Sequence, residues 1–302
     1  MSDPKHFIIS LRCGRLANRL IIFANFIALA EERGWRVSNV TFHSYADMFL
    51  TTRADIYCRY PVTRRRSVLD RLPGVATALR KMRLLTNAAK YATRYPKIFR
   101  NTVTLHELPG KAVIYLDQEF FQAQIRGAEK FFVHGWKFRA PALVKKHAAK
   151  IREFFRPAPA IAAQAQAQVA PLRTQAEVVV GVHIRQGDYR GWLGGKYFFP
   201  VERYAAWMRE IPVQFPGKRV AFFVCSDEPR TAAEFAGLTV AFGGSPLADN
   251  LSLSACDFII GPVSTFSQWA SFYGGKPLFH LKNTDAVPDL KNAAMSDLDF
   301  IE

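Results

Sequence analysis

Several residue types and motifs are scarce or missing in this chain of 302 residues, and each absence argues against a class of protein or a kind of site. The four cysteines are widely spaced and form neither a CxxC pair nor a zinc-ligand pattern. They are Cys13, Cys58, Cys225 and Cys256. We therefore expect a reducing compartment and no bound metal or cofactor. The sequence also has no GxxxxGK[ST] loop and no spaced GxGxxG, which argues against P-loop kinases and simple dinucleotide-dependent dehydrogenases.

Long hydrophobic runs are missing as well. The longest apolar stretch, Leu20–Ala30, is interrupted by Asn25 and is too short to span a bilayer. The first residues, MSDPKHFIISL, lack the charged and then apolar pattern of a signal peptide. We expect a cytoplasmic protein of the bacterial type, with neither secretion nor a membrane span.

Acidic residues are outnumbered, 25 against 41 basic ones, and the net charge of +16 implies an anionic partner. Residues 64–100 concentrate this charge, with eleven basic residues and one acidic residue, Asp70. The segment predicts a basic helical insertion, which either binds an anionic inner leaflet or packs its apolar stripe on its own domain. Few aromatic residues are interleaved for base stacking, so nucleic acid is not the expected partner.

Strand and helix patterns alternate along most of the chain, which predicts an α/β fold with parallel sheets. The strand candidates are Phe7–Leu11, Val37–Phe42, Val113–Leu116, Phe131–Gly135, Val178–Ile184, Arg219–Cys225, Leu238–Ala241, Phe258–Gly261 and Pro277–Leu281. A helix is expected over about 18–33 and another over Pro141–Phe155. Residues 157–175 are rich in Ala and Gln and bracketed by prolines, which predicts a partly helical linker between domains 1–156 and 176–302.

The most informative stretch is Val178–Tyr189, VVVGVHIRQGDY. A buried strand ends there in polar residues, and ligands of open α/β sheets bind beyond the carboxyl ends of strands. Arg185 beside Gly187 suits a planar anion such as a diphosphate. The alternative is an Arg–Asp pair that only caps the sheet.

Three further clusters follow predicted strands. Gly14–Arg19 forms a glycine turn that opens a helix, where backbone N–H groups can face an anion, although Asn18 could simply be an N-cap. Ser226-Asp227 ends a strand. Gly261–Ser267 joins a strand to a helix, where Ser264 or Thr265 could cradle a diphosphate or merely cap the helix. The one DxD-like string, Asp297–Asp299, is expected at the surface rather than at a metal site.

Taken in order, these four motifs resemble the fucosyltransferase superfamily. The similarity covers Gly14–Arg19, His183–Tyr189, Phe222–Asp227 and Asp249–Trp269. Bacterial α-1,2-fucosyltransferases, of the glycosyltransferase family 11 type, are most similar, and the first motif also resembles that of protein O-fucosyltransferases. The resemblance says little about residues 53–140, where acceptor contacts would lie.

The resemblance implies a GT-B-like fold of two facing Rossmann-like domains, the first on the acceptor side and the second holding the nucleotide sugar. The implied reaction is inverting, metal-independent transfer of L-fucose from GDP-fucose to a sugar hydroxyl of a bacterial surface glycan or its lipid-linked precursor. Arg185 matches the arginine that binds the donor diphosphate, and Asn18 matches an asparagine near the reaction centre. Asp188 is the nearest carboxylate in the motif and the candidate base. The alternative is that it only satisfies backbone N–H groups of its turn. Donor contacts are implied for Gly14, Arg15, Arg19, His183, Asp227, Asp249, Ser264, Thr265 and Phe266.

The sequence departs from the family pattern at two places. The second arginine of H-x-R-R is Gln186, while Ala17 and Arg19 replace the second glycine and the glutamine of the first motif. Either Arg19 supplies the missing charge, which we favour, or the donor differs from GDP-fucose. The alternatives are a catalytically silent nucleotide-sugar-binding or polysaccharide-assembly protein, and a basic nucleic-acid-binding protein.

Overall fold

Two five-stranded β-sheets organise the chain, each in a structural unit of its own. The computed structural model describes residues 4–62, 87, 102–108, 110 and 113–299. Of these, residues 4–158 and 297–299 form the first unit, and residues 159–296 form the second. The predicted basic insertion over 64–100 lies outside the described residues, apart from Asn87.

The first unit contains β1 (His6–Ile9), α1 (Leu16–Arg33), β2 (Arg36–Asn39), β3 (Arg59–Tyr60), β4 (Thr102–His106), β5 (Ile114–Tyr115), α2 (Glu119–Gln124), β6 (Lys130–His134), β7 (Phe138–Arg139), α3 (Pro141–Lys146) and α4 (Ala148–Phe154). Its main sheet has the order β3-β2-β1-β6-β4 and is parallel except for β3, while β5 and β7 form a separate parallel pair. The four strands predicted here are confirmed, while the helix predicted over Pro141–Phe155 is divided at His147.

Helix α1 packs into an aromatic core. Its apolar residues surround the whole helix, and it is buried almost throughout. Phe7 of β1 lies against Phe26 of this helix, with ring centroids 5.3 Å apart, and against Phe131 of β6 at 5.0 Å. The helix ends at Gly34, whose left-handed φ of 66° lets its N–H reach Ala30. This packing fixes the loop between β1 and α1, which carries the first motif.

The second unit contains α5 (Pro159–Gln175), β8 (Val178–Ile184), α6 (Val201–Glu210), β9 (Val220–Ser226), β10 (Val240–Phe242), α7 (Pro246–Ala255), β11 (Phe258–Pro262), α8 (Thr265–Gly274) and β12 (Leu278–Leu281). Its sheet is fully parallel and has the order β10-β9-β8-β11-β12. Counted within this unit, the strand order is 3-2-1-4-5, the doubly wound order of nucleotide-binding sheets. The predicted parallel α/β class is confirmed.

Strand β8 is central, and all seven of its residues are buried. Val180 and Val182 face a cluster that includes Trp207, while Val179 faces Leu172 on the other side of the sheet. A strand covered on both faces reads as a near-continuous apolar run, which explains why its sequence pattern was so clear.

The structure corrects the linker predicted over 157–175. Residues 159–175 form helix α5, which belongs to the second unit. Ala and Gln are good helix formers, and Val169 and Leu172 of this helix pack under the sheet. The hydroxyl of Ser252 also donates to the side-chain oxygen of Gln168, at 2.6 Å. The second unit therefore begins at residue 159 and not at 176. Among the described residues, no helix is both long and apolar enough to cross a membrane.

Candidate functional site

Polar residues follow three adjacent strands of the second unit. Asp227 lies just beyond β9, Arg185 directly follows β8, and Ser264 lies two residues beyond β11. The strand order reverses between β8 and β11, so Arg185 and Ser264 flank the switch point of the sheet. Doubly wound sheets bind nucleotides at this position, because the loops of the two flanking strands diverge there and leave a crevice.

Arg185 is held by two carboxylates. Its Nη2 lies 2.7 Å from Oδ1 of Asp188, and its Nη1 lies 3.2 Å from Oδ2 of Asp227. The guanidinium also lies over the ring of Tyr189, with Cζ 5.5 Å from the ring centroid. The side chain is 15% exposed, and that of Asp188 is 54% exposed. The ion pairing that the sequence left as an alternative is therefore present, and it fixes the guanidinium at the edge of the sheet.

Asp227 holds both the backbone and the arginine side chain of the loop that follows β8. Its Oδ1 accepts the backbone N–H of Gln186 at 2.8 Å, while its Oδ2 faces Arg185. Gly187 leaves the room that this needs, because a Cβ added there would lie 2.8 Å from Oδ2. Both carboxylate oxygens thus serve the arginine loop. This arrangement makes Asp227 a residue that positions Arg185, and the direct donor contact implied by the resemblance stays a prediction.

Tyr189 joins the arginine loop to the next strand end, and sequence reasoning missed it. Its hydroxyl donates to the carbonyl of Val263 at 2.8 Å, directly before Ser264. Its buried ring lies under the guanidinium of Arg185, and burial raises the pKa of its hydroxyl, which therefore stays protonated. The available signal was an aromatic residue directly after the polar motif.

The start of helix α8 forms the opposite side of the crevice. Ser264 is its N-cap, and its hydroxyl accepts the N–H of Phe266 at 3.2 Å. Ser264, Thr265 and Phe266 are all partly exposed. The N-terminus of a helix carries partial positive charge and favours an anion. The structure therefore brings a guanidinium loop and a helix start to neighbouring strand ends, with Tyr189 bonded between them.

His183 lies beneath this surface. It is 4% exposed, and its Nδ1 lies 2.8 Å from the hydroxyl of Ser267. Its ring centroid is 4.9 Å from that of Phe266. Burial, and then the charge of Arg185, lower its pKa to about 3, so it is neutral at physiological pH. A neutral, buried histidine supports the start of α8 and adds no charge to the site.

Asp249 closes the loop after β10. Its Oδ1 accepts the backbone N–H groups of Gly244 and Ser245, at 2.9 and 3.1 Å, and the amide of Gln168 at 3.2 Å. The side chain is 6% exposed, and a Cβ at Gly243 would lie 2.4 Å from it. Strand β10 is two strands away from β8. The structure shows Asp249 as a loop anchor, and its contact with a nucleoside stays a prediction.

The first motif lies in the first unit, in the loop between β1 and α1. Gly14 has a left-handed φ of 51°, and the side chain of Asn18 lies so close that a Cβ at Gly14 would collide with it. The helix begins at Leu16, with Arg15 at the N-cap position, so Asn18 lies in the first turn and is not the N-cap. Gly14 and Arg15 are exposed.

Arg19 is 1% exposed, and its Nη1 and Nη2 donate to the carbonyls of Thr41 and Gly14, at 3.0 and 3.3 Å. Its guanidinium serves the backbone of its own unit, where it holds the glycine loop against the segment after β2. This is a structural use of the charge that the sequence had suggested for the donor.

Gln186, the other departure from the motif, is also turned inward. It is 3% exposed, and its amide nitrogen donates to the carbonyl of Phe199 at 2.7 Å. The position that carries an arginine in the family pattern therefore faces the core of the second unit in this chain.

Within the described ranges, no three His, Cys, Asp or Glu side chains are grouped to hold a metal ion. In the Asp297–Asp299 string, Asp297 is exposed, as expected, and Asp299 is partly exposed and accepts the hydroxyl of Tyr115 at 3.3 Å. Leu298 between them is buried.

Comparison with known proteins gives a family and a fold. The model of the family described as Glycosyl transferase family 11 matches residues 114–294, more than half of the chain. This match includes all the strand-end residues of the second unit described above. No curated protein matches the chain in sequence.

Solved structures share the fold at low sequence identity. A mutant of Arabidopsis thaliana FUT1 in complex with GDP is 14% identical, with a TM-score of 0.52, over 93% of this chain and 72% of that one. The fucosyltransferase NodZ from Bradyrhizobium is 15% identical, with a TM-score of 0.52, over 92% and 96%. NodZ α-1,6-fucosyltransferase co-crystallised with GDP is 17% identical, with a TM-score of 0.51, over 92% and 95%. These similarities confirm the predicted GT-B-like class.

Proposed function

The chain belongs to glycosyl transferase family 11, and on this premise we propose that it is a fucosyltransferase with GDP-fucose as its donor. The family match covers three of the four motifs and confirms the resemblance to this family, while the first motif, Gly14–Arg19, lies outside the matched residues. The observation that carries the donor class is the fixed guanidinium of Arg185 at the switch point, bridged through Tyr189 to the start of α8. A guanidinium and a helix N-terminus on neighbouring strand ends match the charge and shape of a diphosphate.

In the proposed reaction, the bond between C1 of fucose and the diphosphate oxygen breaks, and negative charge develops on that oxygen. Arg185 and the first turn of α8 stabilise this charge, and this supply of positive charge supports a metal-independent reaction. Because Asp227, itself bonded to the backbone N–H of Gln186, already orients the guanidinium, it does not have to reorganise when the charge develops. One FUT1 structure and one NodZ structure, both of the same fold, hold GDP, which supports a guanine nucleotide donor.

Asp188 is the proposed base. A diphosphate that takes up the guanidinium of Arg185 leaves the half-exposed carboxylate of Asp188 free to accept the proton of the attacking hydroxyl. The hydroxyl oxygen then bonds to C1 on the face opposite the departing diphosphate, which is the inverting outcome. The α-1,2 linkage is proposed from the motif resemblance.

The acceptor is proposed to be a bacterial surface glycan or its lipid-linked precursor. The eleven basic residues of 64–100 suit the anionic inner leaflet where such precursors are built. Gln186 suggested a catalytically silent binding protein, and its inward-facing amide, which leaves Arg185 at the strand end, supports the catalytic alternative. No contact of the described residues favours nucleic acid as the partner.

The test is calorimetric binding of GDP, GDP-fucose, GDP-mannose, UDP and dTDP to the wild type, to Arg185→Ala and to Arg190→Ala. Arg190 is the matched control, because it lies on the same loop but is 57% exposed and paired with Glu228. We expect selective binding of the guanine nucleotides, weakened at least about tenfold by Arg185→Ala and unchanged by Arg190→Ala.

With GDP-fucose as donor, Arg185→Ala should also lower kcat/KM about 150-fold, which corresponds to a loss of about 3 kcal/mol of transition-state stabilisation. Thermal unfolding would verify that each variant is folded. Near-normal turnover by Arg185→Ala, or equal binding of UDP and GDP by the wild type, would contradict the proposed function.

A further inference from the structure

An exposed tryptophan lies on the loop that follows Arg185, and the proposed donor site does not account for it. Trp192 is 42% exposed and its neighbour Leu193 is 50% exposed. By contrast, Trp35, Trp207 and Trp269 are at most 4% exposed. Large apolar side chains exposed next to a polar site are typical of binding surfaces.

Trp192 is supported from within the second unit. Its ring centroid lies 4.8 Å from that of Tyr189 and 5.8 Å from that of Tyr197, both of them buried residues. Tyr189 is the same residue that lies under the guanidinium of Arg185. The exposed indole is thus in contact, through one ring, with the proposed diphosphate site. A side chain held in this way loses little conformational entropy when a ligand covers it.

The backbone of this loop keeps the two apolar residues outside. Leu193 has φ 50° and ψ 39°, and Gly194 and Gly195 follow with φ 66° and 79°. Glycine adopts this left-handed conformation at little cost, but leucine does so only with strain. Strain of this kind persists where the surrounding structure imposes it, and it is concentrated at binding and catalytic sites.

We propose that Trp192, flanked by Leu193, is the surface on which a sugar ring of the acceptor stacks, an inference that rests on the proposed function. A hexopyranose presents a face made only of C–H bonds, most extensively in galactosides, and these weakly positive hydrogens suit the negative face of an indole. Because Trp192 packs on Tyr189, whose ring also lies under Arg185, such a sugar would lie near the strand end where the donor diphosphate would bind. Two exposed apolar residues cover one sugar ring, whereas a lipid surface would need a longer apolar face.

The test is saturation-transfer NMR on the full chain, with and without GDP. The probes are methyl β-D-galactopyranoside, methyl β-D-glucopyranoside and N-acetylglucosamine at millimolar concentration. The variants are Trp192→Ala, Trp192→Phe, which keeps an aromatic face, and Phe120→Ala, a matched control because Phe120 is 52% exposed in the first unit. Calorimetry with GDP accompanies each variant, and thermal unfolding verifies that it is folded.

We expect transfer to at least one sugar, strongest for the galactoside, reduced at least fivefold by Trp192→Ala and largely kept by Trp192→Phe and Phe120→Ala. GDP affinity should stay within twofold of the wild type in all three. The inference is overturned if no sugar gives a signal, if Trp192→Ala leaves the signal intact, or if this variant loses GDP binding, which would place the nucleobase on Trp192. A wild type that binds no GDP would refute the proposed function separately, because the sugar signals are also recorded without nucleotide.

Discussion

Gly187→Ala is a small change that tests how the arginine loop works. The added methyl group would lie 2.8 Å from Oδ2 of Asp227, well inside van der Waals contact. The same oxygen faces Nη1 of Arg185 at 3.2 Å. A carboxylate at the end of a free side chain would simply turn away, but this one is also tied to the N–H of Gln186. The methyl group must therefore weaken the ion pair, the backbone hydrogen bond, or both.

The expected magnitude follows from these contacts. A hydrogen bond to a charged group contributes about 1.5–3 kcal/mol, and a distorted one keeps part of this. We expect Gly187→Ala to destabilise the fold by about 1 kcal/mol, since the side chain can shift by a few tenths of an ångström. GDP affinity should fall about tenfold, because the guanidinium is no longer pre-oriented. Calorimetry with GDP and urea unfolding would measure the two effects.

Two comparisons make this prediction sharp. Gly191→Ala is the matched control, because a Cβ on this glycine of the same loop meets nothing within 4 Å. In an Asp227→Ala background, the methyl group has no carboxylate to displace, so adding Gly187→Ala should weaken GDP binding no further. Wild-type affinity in Gly187→Ala, or an equal loss with and without Asp227, would refute the proposed role of Asp227.

Two further predictions concern stability. The pKa of His183 is lowered to about 3 in the folded chain, against an ordinary value of 6.5 in the unfolded chain. Below pH 6.5 the unfolded chain therefore binds a proton that the folded chain does not bind. Stability should therefore fall with pH between 6.5 and 3, by about 2 kcal/mol from this residue between pH 7 and 5, and urea titrations of His183→Asn should show a flatter profile. In Gly274→Ala, the Cβ would lie 2.1 Å from the backbone oxygen of Ser254, which cannot turn away. We expect this clash to lower the free energy of unfolding, measured in urea, by about 3 kcal/mol. Gly244→Ala, with open space around its Cβ, should lower it little. Equal stabilities of the two variants would show that α7 and α8 separate freely.

The strands of the second sheet could be predicted from the sequence because its central strands are covered on both faces. Val178–Ile184 reads as an unbroken apolar run, and every residue of it is buried. Composition is a poorer guide for 157–175, where the high content of Ala and Gln predicts a linker. Only Ala165, Val169 and Leu172 of that helix are fully buried, so its buried stripe is too sparse to stand out in the sequence.

The strand-end residues could be found from the sequence, but their individual contacts could not. The sequence placed Arg185, Asp227 and Ser264 at the carboxyl ends of strands, and adjacency of β9, β8 and β11 brings them to one edge. Which carboxylate holds the arginine depends on the pairing of the strands, which is a long-range property. The contacts of Asp249 could not be found from the sequence either, since its hydrogen-bond partners are residue 168 of α5 and residues 244 and 245 of the loop after β10.

Gln186 shows how the strand geometry resolves an apparent defect in the motif. Side chains alternate between the two faces of a strand, and this alternation continues just beyond β8. Ile184 belongs to the core cluster that contains Phe199, and Gln186, two residues later, bonds to the carbonyl of Phe199. His183 and Arg185 are the odd-numbered neighbours of these residues, and they face Ser267 and the two carboxylates instead. Replacing an arginine by Gln186 therefore alters the core side of the loop. It leaves the guanidinium of Arg185 in place, and the buried Arg19 serves the backbone of the first unit.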